Sequence, residues 1–397
     1  MTRLTVHEYA AALRPRYRAA KKGAKGRTLD EFCQTAGLHR KAAIRLLNRP
    51  FAALRAGSGQ ARAVLPGRPR RYGPEVAEAL AKLWEVGDRM CGKLLASVIP
   101  DLLSALERHG ELPVTPEVRA SLLCISPSTI DRLLRKYRTG GRRQPKRQSA
   151  AETTLKGQIP IRTWSEWQGV APGSLQADLV LHCGERTEGF FLTTLTAVDV
   201  ATGWTELQPV WGMGKQRVGT AMHHVRQRLP FPLKAIHTDN GGEFINHLLA
   251  PWCVREKIGF TRGRSYRKND QAYVEQRNWF GVRRQVGYER YSSQVAYQVL
   301  HQLYALLRLQ LNFFRPISKL VSKERQGARV RKQYDRPRTP YQRLLDSGIL
   351  DEAARDILED QFLAINPAQL RRRTEQTLRR LWALADRHQA APCGKIG

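Results

Sequence analysis

The chain has 397 residues, of which 42% are hydrophobic, and this length and composition allow two or three domains with packed cores. Its 67 Lys and Arg residues against 35 Asp and Glu give a formal net charge of +32, which favours nucleic acid as partner over an acidic membrane surface or an acidic protein. No stretch reaches the roughly 20 apolar residues of a membrane-spanning helix, and the first residues lack the apolar core of a signal peptide, so we expect a cytoplasmic protein.

Residues 1–50 carry the pattern of a helix-turn-helix DNA-binding domain. Thr28 followed by Glu31 predicts a helix start with a capping box, and Gly37 predicts the tight turn before a second helix. That second helix would enter the major groove of DNA. Helical hairpins without a DNA role share this pattern, and the charge of the chain favours the DNA role. The residues expected to contact DNA here are Arg40, Lys41 and Arg45.

Residues 74–138 predict a second helical domain with the same helix-turn-helix logic. We expect helices at Pro74–Trp84 and Lys93–Arg108, with Pro100 kinking or dividing the latter. In the last helix pair, Ser126 is the expected N-cap before a buried apolar stripe. Two such modules favour an extended, bipartite DNA site. The DNA contacts expected from this domain are Thr129 and Arg132.

Two basic linkers flank this second domain, at residues 51–73 and 139–157. The first is rich in Gly, Pro and Arg and could follow a minor groove or a phosphate backbone, although a solvated linker has the same composition. The second begins with a charge run, which is usually a solvated tether and could track phosphates when bound. The candidate DNA contacts in the linkers are Arg68, Arg70, Arg71, Arg142 and Arg143.

Residues 158–315 change character and predict an α/β domain. The expected strands are 175–182, 190–198, 205–211, 233–237 and 258–261. The expected helices are 216–229, 245–257, 271–286 and 293–313. Three successive strands, followed by strands that alternate with helices, imply a mixed sheet flanked by helices.

Three acids in this region suit phosphodiester chemistry. Asp178 lies inside the first strand, Asp239 ends a later strand, and Glu275 falls in a helix about 35 residues further on. Two carboxylates about 4 Å apart repel by about 4 kcal/mol at an effective dielectric of about 20, so a convergent trio needs protons or cations. Two Mg²⁺ ions at such a trio stabilise the attacking and departing oxygens of an in-line phosphoryl displacement. In the helix, Trp279 is expected to pack inward, with Arg277 near the entrance.

Other groups near the trio have competing explanations. Asp199 is expected to serve a hairpin turn, while His237, Glu243 and Glu256 stay open as further metal contacts. Residues 212–215 are rejected as a nucleotide-binding loop, because Pro209 stands where its leading glycine should be. The six cysteines contain no CxxC pair, so we expect buried, reduced thiols and neither a zinc ribbon nor a disulfide framework.

Asp178, the stretch from Thr238 to Phe244 (TDNGGEF) and the stretch from Lys268 to Asn278 (KNDQAYVEQRN) together resemble the DDE integrase core of insertion-sequence transposases and retroviral integrases. The likeness covers about residues 160–315. It implies an RNase H-like catalytic core, dependence on two Mg²⁺ ions or on Mn²⁺, and cutting followed by strand transfer of transposon ends. The metal ligands that carry over are Asp178, Asp239 and Glu275.

The sequence departs from the family pattern in two places. Ser265 replaces the usual proline before the tyrosine, here Tyr266, of the loop that precedes the glutamate. The His2Cys2 zinc module of retroviral integrases is absent, and the N-terminal all-α helix-turn-helix domains take its place. The residues expected to hold DNA beside the cleft are Arg264, Arg267 and Lys268. Because two transposon ends must be joined together, we expect a homo-oligomer on paired ends of double-stranded DNA.

Residues 316–397 predict a basic, mainly helical C-terminal region for DNA binding or assembly, with helices at 349–362 and 366–387. Two rival functions remain at this stage. One is an RNase H-like nuclease that cuts DNA without joining it. The other is a DNA-binding regulator without catalysis, which would use only the helix-turn-helix domains.

Overall fold

The computed structural model describes residues 2–48, 71–138, 169–239, 244, 249–263, 271–327 and 329–386. Within these residues, no helix has the length and apolar character needed to cross a membrane. The chain divides into two compact units, Met1–Arg71 and Tyr72–Gly397. The candidate site residues that lie outside the described residues are Arg68, Arg70, Arg142, Arg143, Glu243, Arg264, Arg267 and Lys268.

Residues 2–48 of the first unit form three helices around a small apolar core. They are α1 (Arg3–Ala19), α2 (Lys22–Ala36) and α3 (Arg40–Leu47). Gly37 ends α2 in the left-handed conformation with φ 63°, which confirms the predicted turn. The predicted capping box at Thr28 is wrong, because packing on α1 extends α2 back to Lys22. Thr28 therefore lies inside the helix, where its hydroxyl donates to the carbonyl of Ala24 at 3.1 Å.

The second unit begins with four helices. They are α4 (Pro74–Val86), α5 (Gly92–Arg108), α6 (Pro116–Leu123) and α7 (Pro127–Leu133). Ser126 accepts a hydrogen bond from the amide of Thr129 at 3.3 Å, which confirms the predicted N-cap of α7. Pro100 does not divide α5. Cys91 and Cys124 are exposed at helix ends, so the expectation of buried thiols is wrong for these two.

The centre of the second unit is a five-stranded mixed sheet in the order β3-β2-β1-β4-β5. The strands are β1 (Ser174–Leu181), β2 (Thr193–Asp199), β3 (Thr205–Val210), β4 (Ala235–Thr238) and β5 (Gly259–Arg262). The first three strands pair antiparallel, whereas β4 pairs parallel with β1 and with β5. This mixed sheet flanked by helices matches an RNase H-like core and confirms the predicted α/β architecture.

The central strand β1 buries both of its faces. Leu175, Ala177 and Leu179 pack in a cluster with α8 (Lys215–Arg228) and α9 (Leu249–Arg255). Val180 points the other way, into a cluster with α12 (Gln294–Leu309). Since side chains alternate along a strand, the acid at position 178 shares the face of Val180.

The helix predicted at 271–286 is present, but its middle is wider than an α-helix. It consists of α10 (Ala272–Arg277), a π-helical segment (Asn278–Arg283) and α11 (Arg284–Val286). A second π-helical segment, Gln310–Phe314, extends α12. Single π turns inside helices are frequent at functional sites.

The C-terminal region combines a β-hairpin with three helices. The hairpin strands are β6 (Leu320–Gln326) and β7 (Arg329–Tyr334), and the helices are α13 (Pro340–Asp346), α14 (Glu352–Ala364) and α15 (Pro367–Ala383). The helices agree with the predicted helical character. The hairpin was not predicted, because its strands carry charged residues on both faces and bury no alternating apolar stripe.

A buried carboxylate joins three segments of the second unit. Asp88, in the turn after α4, accepts hydrogen bonds from Arg284 at 2.7 Å, from Arg315 at 3.0 Å and from Arg371 at 2.9 Å. These arginines belong to α11, to the chain after α12 and to α15. The helices α4–α7 also share one hydrophobic cluster with α13 and α14. The predicted domain boundaries, after residue 138, before residue 158 and after residue 315, stay predictions.

Candidate active site

Asp178 lies in β1, and Asp239 directly follows β4, the parallel strand that pairs with β1. In the register of β1 and β4, Gln176 lies opposite His237 and Ala177 lies opposite Thr238. Asp178 directly follows Ala177, and Asp239 directly follows Thr238. Because paired strands lie about 4.8 Å apart, two carboxylates at such positions repel unless a proton or a cation compensates them. The strand that contains Asp178 and the strand that precedes Asp239 are thus neighbours in the sheet.

Two donors orient the Asp178 carboxylate. Its Oδ1 accepts from the amide of Leu179 at 2.8 Å, and its Oδ2 accepts from Asn278 Nδ2 at 2.6 Å. The side chain is partly exposed. Carboxylates that bind metals are themselves commonly held by such hydrogen bonds, which set the direction of the remaining lone pairs. The role of Asn278 was missed because nothing in the sequence relates it to a strand a hundred residues earlier.

The helix that carries Glu275 is anchored on the same strand. Gln176 Oε1 accepts from the amides of Tyr273 at 3.2 Å and Val274 at 3.3 Å, satisfying two of the free N–H groups at the start of α10. Glu275 is exposed and lies three residues before Asn278, so the two are neighbours on the helix surface. The helix therefore presents Glu275 beside the residue that touches Asp178.

The predicted orientation of Trp279 and Arg277 is wrong. Arg277 is only 3% exposed and donates to the carbonyl of Gly203 at 3.2 Å, whereas Trp279 is 38% exposed. Burial, with Arg315 nearby, lowers the pKa of the Arg277 guanidinium to about 9. The reason lies in helical geometry. Val274 and Arg277, three residues apart, form the inward stripe, and a residue two positions further on then faces outward.

Carboxylate oxygens are the ligands that Mg²⁺ prefers, and the adjacent pair Asp178 and Asp239 fits a divalent cation of this kind. Among the described residues, however, no three His, Cys, Asp or Glu side chains form a group that could hold a metal ion. Residues 240–243 and 264–270, which border the acids in sequence, are outside the described part. Glu275 as third ligand stays a prediction.

The other polar residues near the acids have structural partners. Asp199 is buried; it accepts from the amide of Gly173 at 2.9 Å and from the hydroxyl of Thr202 at 2.7 Å. Burial raises the pKa of Asp199, which closes the turn after β2 as expected. The buried His237 ring lies 3.0 Å from the hydroxyl of Thr261. The carboxylate of Glu256 pairs with Arg226 at 2.8 Å.

The described candidates for DNA contact lie mainly on the surface. In the first unit, all three candidates on α3 are exposed, namely Arg40, Lys41 and Arg45, and Arg40 also pairs with Asp30. Arg71 is exposed as well. In the second unit, Arg132 is exposed on α7, whereas Thr129 is half-buried with its hydroxyl 3.0 Å from that of Ser126. Contact of these residues with DNA stays a prediction.

No protein-family model matches the chain. The uncharacterized protein y4rM of Sinorhizobium fredii is 42% identical over 336 residues, which cover 85% of this chain and 94% of that protein. The crystal structure of the catalytic core domain of BIV integrase covers 44% of this chain and 95% of that chain, at 22% identity and a TM-score of 0.29. The fold assignment rests on the strand order and register of the sheet.

Proposed function

We propose that this chain, which belongs to the family of the Sinorhizobium fredii protein y4rM, is a DNA transposase. In this proposal the protein binds the terminal repeats of a transposon, cleaves its ends and joins the 3′ hydroxyls to target DNA. The observation that carries the proposal is the register of β1 and β4, which sets Asp178 beside Asp239 on one sheet. The family motif around these acids and the net charge of +32 support the same activity.

The proposed chemistry is two successive phosphoryl transfers at one site. In the first, water attacks phosphorus at the transposon end, the bond to the 3′ oxygen breaks, and a 3′ hydroxyl and a 5′ phosphate remain. In the second, that 3′ hydroxyl attacks a phosphodiester of the target and displaces the 3′ oxygen of the target strand. Each step forms one P–O bond and breaks another, so neither ATP nor a covalent enzyme intermediate is required.

The acids Asp178, Asp239 and Glu275 are the proposed ligands of two Mg²⁺ ions, for which Mn²⁺ can substitute. When bound, such ions stabilise the attacking and departing oxygens of the displacement. Asn278 holds the Asp178 carboxylate at 2.6 Å, and this hydrogen bond orients the carboxylate in advance. Gln176 fixes the start of α10 and, through the helix, the place of Glu275.

DNA recognition is assigned to the basic residues outside the acid trio. The helix-turn-helix modules are proposed to position the terminal repeats through Arg40, Lys41, Arg45, Thr129 and Arg132. Next to the acids, Arg264, Arg267 and Lys268 are proposed to hold the DNA backbone. Joining two ends at once requires at least two active sites on paired ends, so we propose that the protein works as a homo-oligomer.

The test uses the full chain, labelled DNA from the flanks of its own gene, a supercoiled target plasmid and Mg²⁺, with the products mapped at single-nucleotide resolution. We expect defined cleavage at the element ends followed by joining to the plasmid. Asp239→Asn should abolish both steps and keep DNA binding. Asp356→Asn is the matched control, since it removes one exposed carboxylate on α14 and should change neither step.

Two outcomes would replace this proposal with a rival. If the protein binds two DNA ends together and cleaves them but does not join them to the target plasmid, it is a nuclease. Specific binding to the flanking DNA, without any cleavage that Mg²⁺ or Asp239 controls, identifies a DNA-binding regulator. Retained cleavage in Asp239→Asn would also show that the acid beside Asp178 is not part of the reaction.

A further inference from the structure

The β6–β7 hairpin projects as a two-stranded ribbon that is exposed on both faces. From Lys323 to Gln326 and from Val330 to Tyr334, every described side chain is exposed. Within the described residues, hydrogen bonds hold the ribbon at its base, where the amide of Lys319 donates to Asp335 Oδ1 at 2.7 Å and its ammonium donates to the carbonyl of Ala201 at 2.9 Å. Isolated two-stranded hairpins are at best marginally stable in water. A ribbon without a packed face is therefore a surface for something else to cover.

The two faces of the ribbon carry different charges. The register places Lys323 opposite Lys332 and Arg325 opposite Val330, while Glu324 lies opposite Arg331. Since alternate residues share a face, one face combines three cations with two exposed apolar residues and no acid. We call it the cationic face, and it consists of Lys323, Arg325, Val330, Lys332 and Tyr334. The opposite face differs in that it contains an acid, Glu324, which lies across from Arg331.

The cationic face is not compensated within the chain. Like charges directly opposite each other destabilise a strand pair, so Lys323 and Lys332 weaken the hairpin that carries them. Among the described residues, no carboxylate forms an ion pair with these two lysines or with Arg325. The acid at the base of the ribbon, Asp335, pairs with Arg343 at 2.7 Å. An external polyanion would relieve the repulsion.

We infer that the ribbon binds double-helical DNA through its cationic face, with Lys323, Arg325 and Lys332 contacting phosphates. The choice of DNA as the polyanion rests on the proposed function. Size also fits, because strands about 4.8 Å apart with their side chains match a major groove about 12 Å wide. A second copy of the chain is disfavoured as the occupant, since lysines and the irregularity at Val321 protect the ribbon edges from strand pairing.

The first experiment measures affinity of the full chain for a random-sequence duplex over a series of salt concentrations. The ribbon variant combines Lys323→Gln, Arg325→Gln and Lys332→Gln. The matched control removes the same charges from exposed positions outside the ribbon and combines Arg186→Gln, Lys215→Gln and Lys234→Gln. Each phosphate contact contributes about 0.9 to the slope of log K against log salt, so the ribbon variant should lose about 2 to 3 from its slope. The control should lose less than about 1.

A single substitution separates DNA contact from folding. Lys332→Glu places an acid opposite Lys323, which should stabilise the ribbon because opposite charges across a strand pair attract. The same change removes a phosphate contact and repels DNA. We expect a urea midpoint at or above that of the wild type together with weaker DNA binding. A misfolded ribbon would lower both the midpoint and the affinity.

Equal slopes for the ribbon variant and the control overturn the inference, and so does unchanged affinity in Lys332→Glu. A fall in molecular mass with an unchanged slope would instead show that the ribbon joins copies of the chain. Failure of the proposed function is seen separately. Suppose that neither the wild type nor any variant cleaves DNA, while the ribbon variant shows a smaller slope of log K against log salt than the control. The transposase proposal then fails, and the inference that the ribbon binds DNA is retained. If Asp239 controls cleavage and the slopes are equal, only the ribbon inference fails.

Discussion

Asp88→Asn should destabilise the second unit strongly. The side chains of Asp88 and Arg315 are each 7% exposed, and those of Arg284 and Arg371 are each 17% exposed. Asparagine keeps the shape and tolerates the positive φ of 57° at this position, but it leaves three guanidinium groups without their shared carboxylate. Removing one partner from a buried ion pair costs about 3–5 kcal/mol. We expect about 3 kcal/mol, because two of the arginines keep some contact with water.

Urea unfolding followed by tryptophan fluorescence measures this loss in the full chain. All eight tryptophans lie after residue 72, so their signal reports the second unit. If the slope of the unfolding free energy is about 3 kcal/mol per M urea, the midpoint should fall by about 1 M. The double variant Asp88→Asn with Arg315→Gln removes the most deeply buried of the charges that lose their carboxylate, and it should recover part of the loss.

Asp346→Asn is the matched control, because it removes the same charge from an exposed pair with Arg338. Exposed pairs contribute about 0–1 kcal/mol, so its midpoint should stay near that of the wild type. Equal effects of Asp88→Asn and Asp346→Asn would refute the reasoning. So would a double variant that is less stable than Asp88→Asn alone, since the stranded arginines would then not repel one another.

Three further predictions concern the acid site, the pH dependence of stability and the start of β1. Asn278→Ala removes the side-chain amide that donates to the Asp178 carboxylate, so it should raise the Mg²⁺ concentration for half-maximal cleavage by about ten-fold or more. An unchanged Mg²⁺ concentration for half-maximal cleavage would exclude a positioning role for Asn278. The hydrogen bond from Arg372 lowers the pKa of Glu111 from 4.5 to about 2, so its contribution to stability is complete above about pH 4.5 and is lost as pH falls to about 2. Urea midpoints of wild type and Glu111→Gln should therefore differ at neutral pH and converge in acid. Gly173 has φ 112°, and an added Cβ would lie 2.5 Å from a backbone carbonyl oxygen, so Gly173→Ala should cost about 2 kcal/mol or more of unfolding free energy. Gly219→Ala, in open space inside α8, should instead be neutral or stabilising by up to about 1 kcal/mol.

Local patterns were enough to predict most helices and strands of the core, and also the structural role of one acid near the site, Asp199. Apolar runs between turns predicted the five strands of the sheet and the helices beside them. The turn chemistry of Asp199 with Thr202 predicted that this acid closes a hairpin, and the structure confirms it. Ser126 before Pro127 predicted the N-cap of α7. These features depend on residues within a few positions of one another, so the chain alone carries their signal.

The neighbourhood of the acids was decided by tertiary structure. Strand β1 lies between β2 and β4, so the partner of Asp178 comes from a segment some sixty residues later. The contacts of Gln176 with the start of α10 and of Asn278 with Asp178 also cross about a hundred residues. Each depends on strand order and on the rotation of one helix, which a local pattern does not encode.

The sequence by itself determined which elements form in the core and how basic the chain is, and it singled out three acids by their resemblance to a DDE integrase core. Only the tertiary structure decided that Asp178 and Asp239 adjoin, that Arg277 is buried while Trp279 is exposed, and that β6 and β7 pair as a ribbon. The physical reason is the range of the interactions. Turns, caps and apolar periodicity act over a few residues, whereas strand pairing and burial depend on which distant segments meet.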